Sequence, residues 1–98
     1  MTPDECSSLE EVRREIDRID RELIATLGTR ARYVQAAARF KASEQDVAAP
    51  ERRAAMMVDR RAWAAQAGLD PDVIEDLYER LIAYFMRREL EYWSERNT

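Results

Sequence analysis

The sequence predicts an all-α protein with three helices per chain, a long first helix, and assembly as a two-fold dimer. Three observations predict it. Gly occurs twice and Pro three times in 98 residues, so helix breakers are scarce, while Ala, Arg, Glu and Leu dominate, which favours helix. From Leu9 to Ala38 the apolar residues recur at steps of three and four, which places them on one helical face. That face is also longer than a single small globule can cover.

The first helix carries Leu9, Val12, Ile16, Ile19, Leu23, Leu27, Ala31, Val34 and Ala38 and is expected to reach about Ala42. Ser7 or Ser8 can cap it, and Glu10 and Glu11 suit its positive N-terminal end. Gly28 interrupts the stripe at modest cost without stopping it. About 34 helical residues span roughly 50 Å, whereas a compact chain of this size has a radius of gyration of about 13 Å. The helix must then project beyond a monomeric core, and the simplest cover for its stripe is a second copy related by a two-fold axis. A monomer whose first helix bends at Gly28 is the alternative.

A second helix begins near Pro50, a residue suited to the first turn, and carries Ala54, Met57, Val58 and Trp63 before a left-handed cap at Gly68. Asp70-Pro71 opens the third, a capping residue followed by a first-turn proline. Its stripe is Ile74, Leu77, Tyr78, Leu81, Ile82 and Phe85, then Tyr92 and Trp93. Ser43 to Ala49 reads as the one sizeable loop before the second helix. The length suits a single domain over 1–98 and no second one.

Composition excludes several classes of function. A net charge of −4 argues against a nucleic-acid binder, so any anion site must be a local basic cluster. No apolar run approaches the roughly 20 residues of a membrane span. The start, Met1 to Glu5, is too polar and acidic for a signal peptide, and a cytoplasmic protein is expected. Histidine is absent, which removes Ser-His and Cys-His machinery and the usual zinc sets; no metal or cofactor is expected. Cys6 is the only cysteine and reads as an incidental small residue.

The chemistry-bearing candidates sit on the long helix and on the third. On an unbroken helix Arg30, Val34, Ala37 or Ala38, and Lys41 share one face, because eleven steps of about 100° return nearly to the start. Arg30 and Lys41 then stand about 16 Å apart across a floor of small residues, a slot with a cation at each end for a small dianion. Arg grips a carboxylate bidentately and Lys acts as a point charge. The competing reading is a solvated charged face. Arg13 precedes Arg30 by roughly 25 Å along the helix, so it can reach that slot only from a second, antiparallel copy; alternatively it pairs with Asp17 at the surface. On the third helix either Arg88 or Glu89 continues the stripe. If Glu89 does, it lies between Phe85 and Trp93, where desolvation raises its pKa and can keep it protonated as a donor. If it turns outward, it pairs with an arginine. Glu51 and Arg52 open the second helix beside the loop.

The string Val12-Arg13-Arg14-Glu15-Ile16-Asp17-Arg18-Ile19-Asp20 resembles the opening of the all-helical chorismate mutases. Arg30-Ala31-Arg32-Tyr33-Val34, Ala38-Arg39-Phe40-Lys41-Ala42-Ser43, Ala49-Pro50-Glu51-Arg52 and Glu91-Tyr92-Trp93 are similar to one branch, the isochorismate pyruvate lyases of salicylate and siderophore biosynthesis. The resemblance runs from about Cys6 to Trp93. It implies three helices per chain in an intertwined dimer with two active sites. Arg13 resembles the arginine donated by the second subunit to a substrate carboxylate, and Arg30 the arginine that grips a carboxylate within the subunit. Lys41 resembles the lysine that donates to the ether oxygen of the enolpyruvyl group. Glu51 and Arg52 fall near the family's ring-hydroxyl and loop contacts, and Val34 and Met56 match apolar pocket positions. The position of Glu89 is a glutamine in the typical lyase and in many bacterial mutases; in some other mutases it is a glutamate that acts protonated.

The implied reactions are pericyclic and need no nucleophile, metal or redox cofactor. An enzyme of this kind holds a folded conformer of isochorismate or chorismate and stabilises charge on the breaking ether oxygen. Isochorismate would give salicylate and pyruvate, and chorismate would give prephenate. An amino-substituted chorismate would fit the same slot. A different class, a catalytically silent helical dimer that regulates a partner enzyme, has no need of the Arg13, Arg30 and Lys41 spacing.

Overall fold

The computed structural model describes residues 1–96. After a 3₁₀ turn at Pro3–Glu5 come helix α1 (Leu9–Ala37), a second 3₁₀ turn (Ala38–Phe40), and helices α2 (Glu44–Ala48), α3 (Pro50–Gln66) and α4 (Pro71–Arg96). The described residues contain no strand. The fold is all-α, with three principal helices and a long first one, as the breaker-poor composition and the periodicity predict. The chain divides into two compact units, Met1–Tyr33 and the part from Val34 onward.

In the first unit Ser8, not Ser7, caps α1: its Oγ accepts the Glu11 N–H at 3.1 Å. Glu11 Oε2 in turn accepts both the N–H and the hydroxyl of Ser7, at 2.8 and 3.1 Å, and these bonds hold its carboxyl below the ordinary range. The helix runs through Gly28 without interruption. Its polar flank is laced by Arg18 to Glu15 and Glu22 and Arg14 to Glu10; Arg13 makes no ion pair with Asp17 among the described residues. No residue of α1 is buried. The expected stripe is real, but Leu9, Val12, Ile16, Ile19 and Leu23 stand 37–62% exposed.

The second unit holds the core. α3 and α4 pack as a helical hairpin, with α2 and the 3₁₀ turn against α4. Ala38, Val47, Met56, Ala64 and Phe85 are its buried apolar residues. Sequence spacing directed attention to Val58 and Trp63 on α3, yet these are 69% and 53% exposed; Met56 and Ala64 fill the buried face instead. The hairpin turn follows the expected chemistry. Gly68 adopts φ +78°, its N–H bonds the Ala65 carbonyl at 3.1 Å, and the Leu69 N–H reaches back to Ala64 at 2.8 Å, which satisfies the last carbonyls of α3. Asp70 caps α4 by accepting the Asp72 N–H at 2.9 Å.

Two expectations about the α1–α3 connection are corrected. The α-helix stops at Ala37 and not near Ala42, and the presumed loop Ser43–Ala49 contains α2. One residue accounts for the second. Ser43 is extended (φ −154°) and its side chain accepts the Asp46 N–H, so it starts a new helix. Serine competes poorly inside a helix and favours a cap; α1 has by then already ended in the 3₁₀ turn Ala38–Phe40. A non-glycine residue, Ala49, then turns left-handed (φ 37°, ψ 61°) to connect α2 to α3.

Candidate active site

Lys41 follows the 3₁₀ turn with extended backbone (φ −94°, ψ 133°). It is therefore not on the α1 face that an unbroken helix would give it, and the angular count linking it to Arg30 does not hold. Its position comes from hydrogen bonds instead. Its N–H donates to the Ala38 carbonyl at 3.2 Å, and its carbonyl accepts the Trp93 indole N–H at 2.9 Å. The next N–H, of Ala42, donates to Asp46 Oδ2 at 3.0 Å. The ammonium donates to the Asp46 carbonyl at 3.0 Å and lies 3.9 Å from Glu89 Oε2.

Glu89 is the one buried charged residue among those described, 6% exposed. This decides the alternative left open on the third helix. Glu89 points inward, one turn beyond buried Phe85, whereas Arg88 is exposed and bonds the Tyr84 hydroxyl at 3.3 Å. Glu89 Oε2 accepts no hydrogen bond among the described residues. Loss of hydration pushes the Glu89 carboxyl above its ordinary value, and the Lys41 ammonium opposes that only in part. A buried acid with a raised pKa beside a cation can, in its protonated form, add a second donor toward one acceptor atom.

The remaining candidates are distributed as follows. Glu51 and Arg52, in the first turn of α3, are exposed and line an open pocket of about 540 Å³ with Phe40, Lys41 and Asp46. Met56 is buried on α3, and Val34 is half-buried. On α1 Arg13 is exposed and Arg30 half-buried. Seventeen helical residues separate these two, about 25 Å, so the pair from one chain cannot serve one small ligand. Sequence reasoning missed Asp46 and the bond from Trp93. One signal for the site was present: of sixteen Lys and Arg residues Lys41 is the sole lysine, a compact ammonium where every other cationic side chain is a guanidinium.

The sequence pattern described as chorismate mutase type II matches residues 12–90. The chain belongs to that family. A type II chorismate mutase is an enzyme, so the Lys41–Glu89 pair lies in a chain of an enzymatic family. The isochorismate pyruvate lyase of Pseudomonas aeruginosa is 44% identical over 94 residues, which cover 96% of this chain and 93% of that protein. The T-protein of Haemophilus influenzae is 38% identical over 76 residues, 76% of this chain but 20% of that much longer protein. Among the described residues no helix is long and apolar enough to cross a membrane.

Proposed function

We propose that this member of the chorismate mutase type II family is an isochorismate pyruvate lyase, converting isochorismate to salicylate and pyruvate, with chorismate mutase activity as a secondary reaction. The observation that carries the reading is the 44% identity over nearly all of this chain to a protein of that name; the Lys41 ammonium 3.9 Å from the buried Glu89 carboxyl suits either pericyclic reaction. Residues 1–98 act as one catalytic domain, as an intertwined homodimer in the cytoplasm, in salicylate supply for siderophore synthesis.

The chemistry follows from what the substrate demands. In the lyase reaction the ring C–O bond breaks while a ring hydrogen moves to the methylene carbon of the enolpyruvyl group. The ring becomes aromatic as salicylate, and the departing fragment is pyruvate. Electrons circulate around a six-atom array, so the protein's tasks are orientation and stabilisation of charge on the ether oxygen. Arg30 and Arg13 of a second copy take the two carboxylates. Lys41 and protonated Glu89 donate to the ether oxygen. Val34 and Met56 supply apolar contact to the ring, and Glu51 and Arg52 address the ring hydroxyl and close the loop side.

A second reading, chorismate to prephenate as the principal reaction, is favoured by one observation: position 89 is a buried glutamate, the residue some mutases use protonated, in place of the typical lyase's glutamine. Incubating the purified protein separately with isochorismate and with chorismate, from acid to neutral pH, separates the two. Salicylate with equimolar pyruvate is expected from isochorismate. Prephenate from chorismate, with isochorismate untouched, would replace the lyase by the mutase. No product from either would leave the amino-substituted substrate or the silent dimer.

A further inference from the structure

We propose that Trp93 is the positioning residue for Lys41: its indole N–H fixes where the Lys41 ammonium stands, and through it the rate of the ether-cleaving step. The proposal deepens the function proposed above and rests on its assignment of Lys41.

Lys41 lies in a stretch with no regular structure of its own, between a 3₁₀ turn and α2. A four-carbon side chain on such a stretch is normally a poor instrument, because both its backbone and its stem can wander. Here both peptide groups flanking the Lys41 Cα are tied. The preceding one is held through its N–H to Ala38. The following one is held at both ends, its carbonyl by Trp93 Nε1 at 2.9 Å and its N–H by Asp46 Oδ2 at 3.0 Å. Both backbone dihedrals of Lys41 are thereby set, and with them the direction in which its side chain leaves.

Of these bonds only that from Trp93 comes from outside the local segment, across 52 residues of sequence. It is also the one that refers Lys41 to Glu89. Trp93 follows Glu89 by four residues on α4, which puts both on one helical face about 6 Å apart along the axis. One α4 side chain holds the backbone of Lys41, and the other, one turn away, faces its ammonium at 3.9 Å. The lysine stem spans a single turn of α4. The donor pair is therefore registered by one rigid element, which confines a charged group to the tolerance that catalysis requires.

The test uses the full-length protein with isotope-labelled lysine. Lys41 is the sole lysine, so its side chain gives a single set of magnetic resonance signals. Trp93→Phe keeps an aromatic ring and removes the donor. The expected result is that the Lys41 signals move toward those of a free, exposed lysine and that kcat falls roughly 10- to 100-fold with KM little changed. Trp93→Phe should add little to Lys41→Ala in the double variant, since both act through one group. Arg61→Gln, which breaks the exposed pairs from α3 to Asp72 and Glu75, serves as the control for general loosening. It should leave both the signals and kcat as in the wild type. Unmoved Lys41 signals in Trp93→Phe overturn the proposal, as do moved signals with unchanged kcat, or a response shared by Arg61→Gln. A wild-type protein that turns over neither substrate would overturn the proposed function, and the Lys41 signals would still decide whether Trp93 holds the lysine.

Discussion

The division of labour between Arg13 and Arg30 gives a prediction that can be worked from α1 itself. If one active site takes Arg30 from one copy and Arg13 from another, then Arg13→Ala and Arg30→Ala are each inactive alone but complementary when mixed. Random pairing of equal amounts makes half of the dimers mixed, and each mixed dimer has one complete site out of two. Recovery should reach about a quarter of wild-type activity for a symmetric dimer. Assembly should depend on the exposed stripe. Leu9, Val12, Ile16, Ile19 and Leu23 average about half exposed, so covering them gains about 1 kcal/mol each, or about 10 kcal/mol for two copies, by area bookkeeping. That is comparable with the association cost of about 4–15 kcal/mol, so the stripe is needed for a stable pair. Leu23→Asp removes its share of that gain and buries a carboxylate at two symmetry-related places, a loss of at least about 4 kcal/mol, or about a thousand-fold in dissociation constant. Sedimentation should show the wild type at twice the 11.5 kDa chain mass and Leu23→Asp at the chain mass, with helicity kept and activity lost. A fully active protein sedimenting as a single chain, or no recovery on mixing the two arginine variants after subunit exchange, would refute the reasoning.

Three further outcomes are expected. Lys41→Ala should lower kcat by about 10²–10³, the loss of one preorganised donor worth about 3–4 kcal/mol; steady-state kinetics check it, and an unchanged kcat removes Lys41 from the mechanism. Glu89 has a folded-state pKa raised above the ordinary 4.5. Its contribution to stability is therefore complete below 4.5 and is lost as pH rises through the raised value. The melting temperature of Glu89→Gln should gain on the wild type with rising pH, and its activity profile should lose the alkaline fall that a protonated donor imposes; parallel melting curves at all pH values would reject the shift. Ala49→Gly should relieve the left-handed strain at φ 37° and raise stability by about 1 kcal/mol, about 4–8 °C in melting temperature for a domain of this size; a lowered melting temperature would contradict it.

The helices were legible because their determinants are local. A cap residue, a first-turn proline and a glycine at positive φ act within four residues of themselves, so Ser8, Asp70-Pro71 and Gly68 announce their elements in the sequence alone. The all-α class follows from the same local terms, whereas Arg13, Arg30, Lys41 and Glu89 are candidates marked by charge and helical position, with roles that only the family resemblance suggests. The end of α1 is not legible because an alanine-rich pattern carries no stop, and a serine such as Ser43 suits a loop as well as the cap of a short helix.

Tertiary packing decided the rest. Residues 88 and 89 differ by one helical step of about 100° and flank the same stripe, so periodicity left them equal. Only the elements packed against α4 place Glu89 inside and Arg88 outside. Lys41 stands 3.9 Å from Glu89 because an indole N–H 52 residues away holds its carbonyl. Sequence by itself determined which side chains can accept, donate or carry charge. The tertiary structure decided which of them lose their water, and it is loss of water that turns an ordinary glutamate into an acid that can remain protonated.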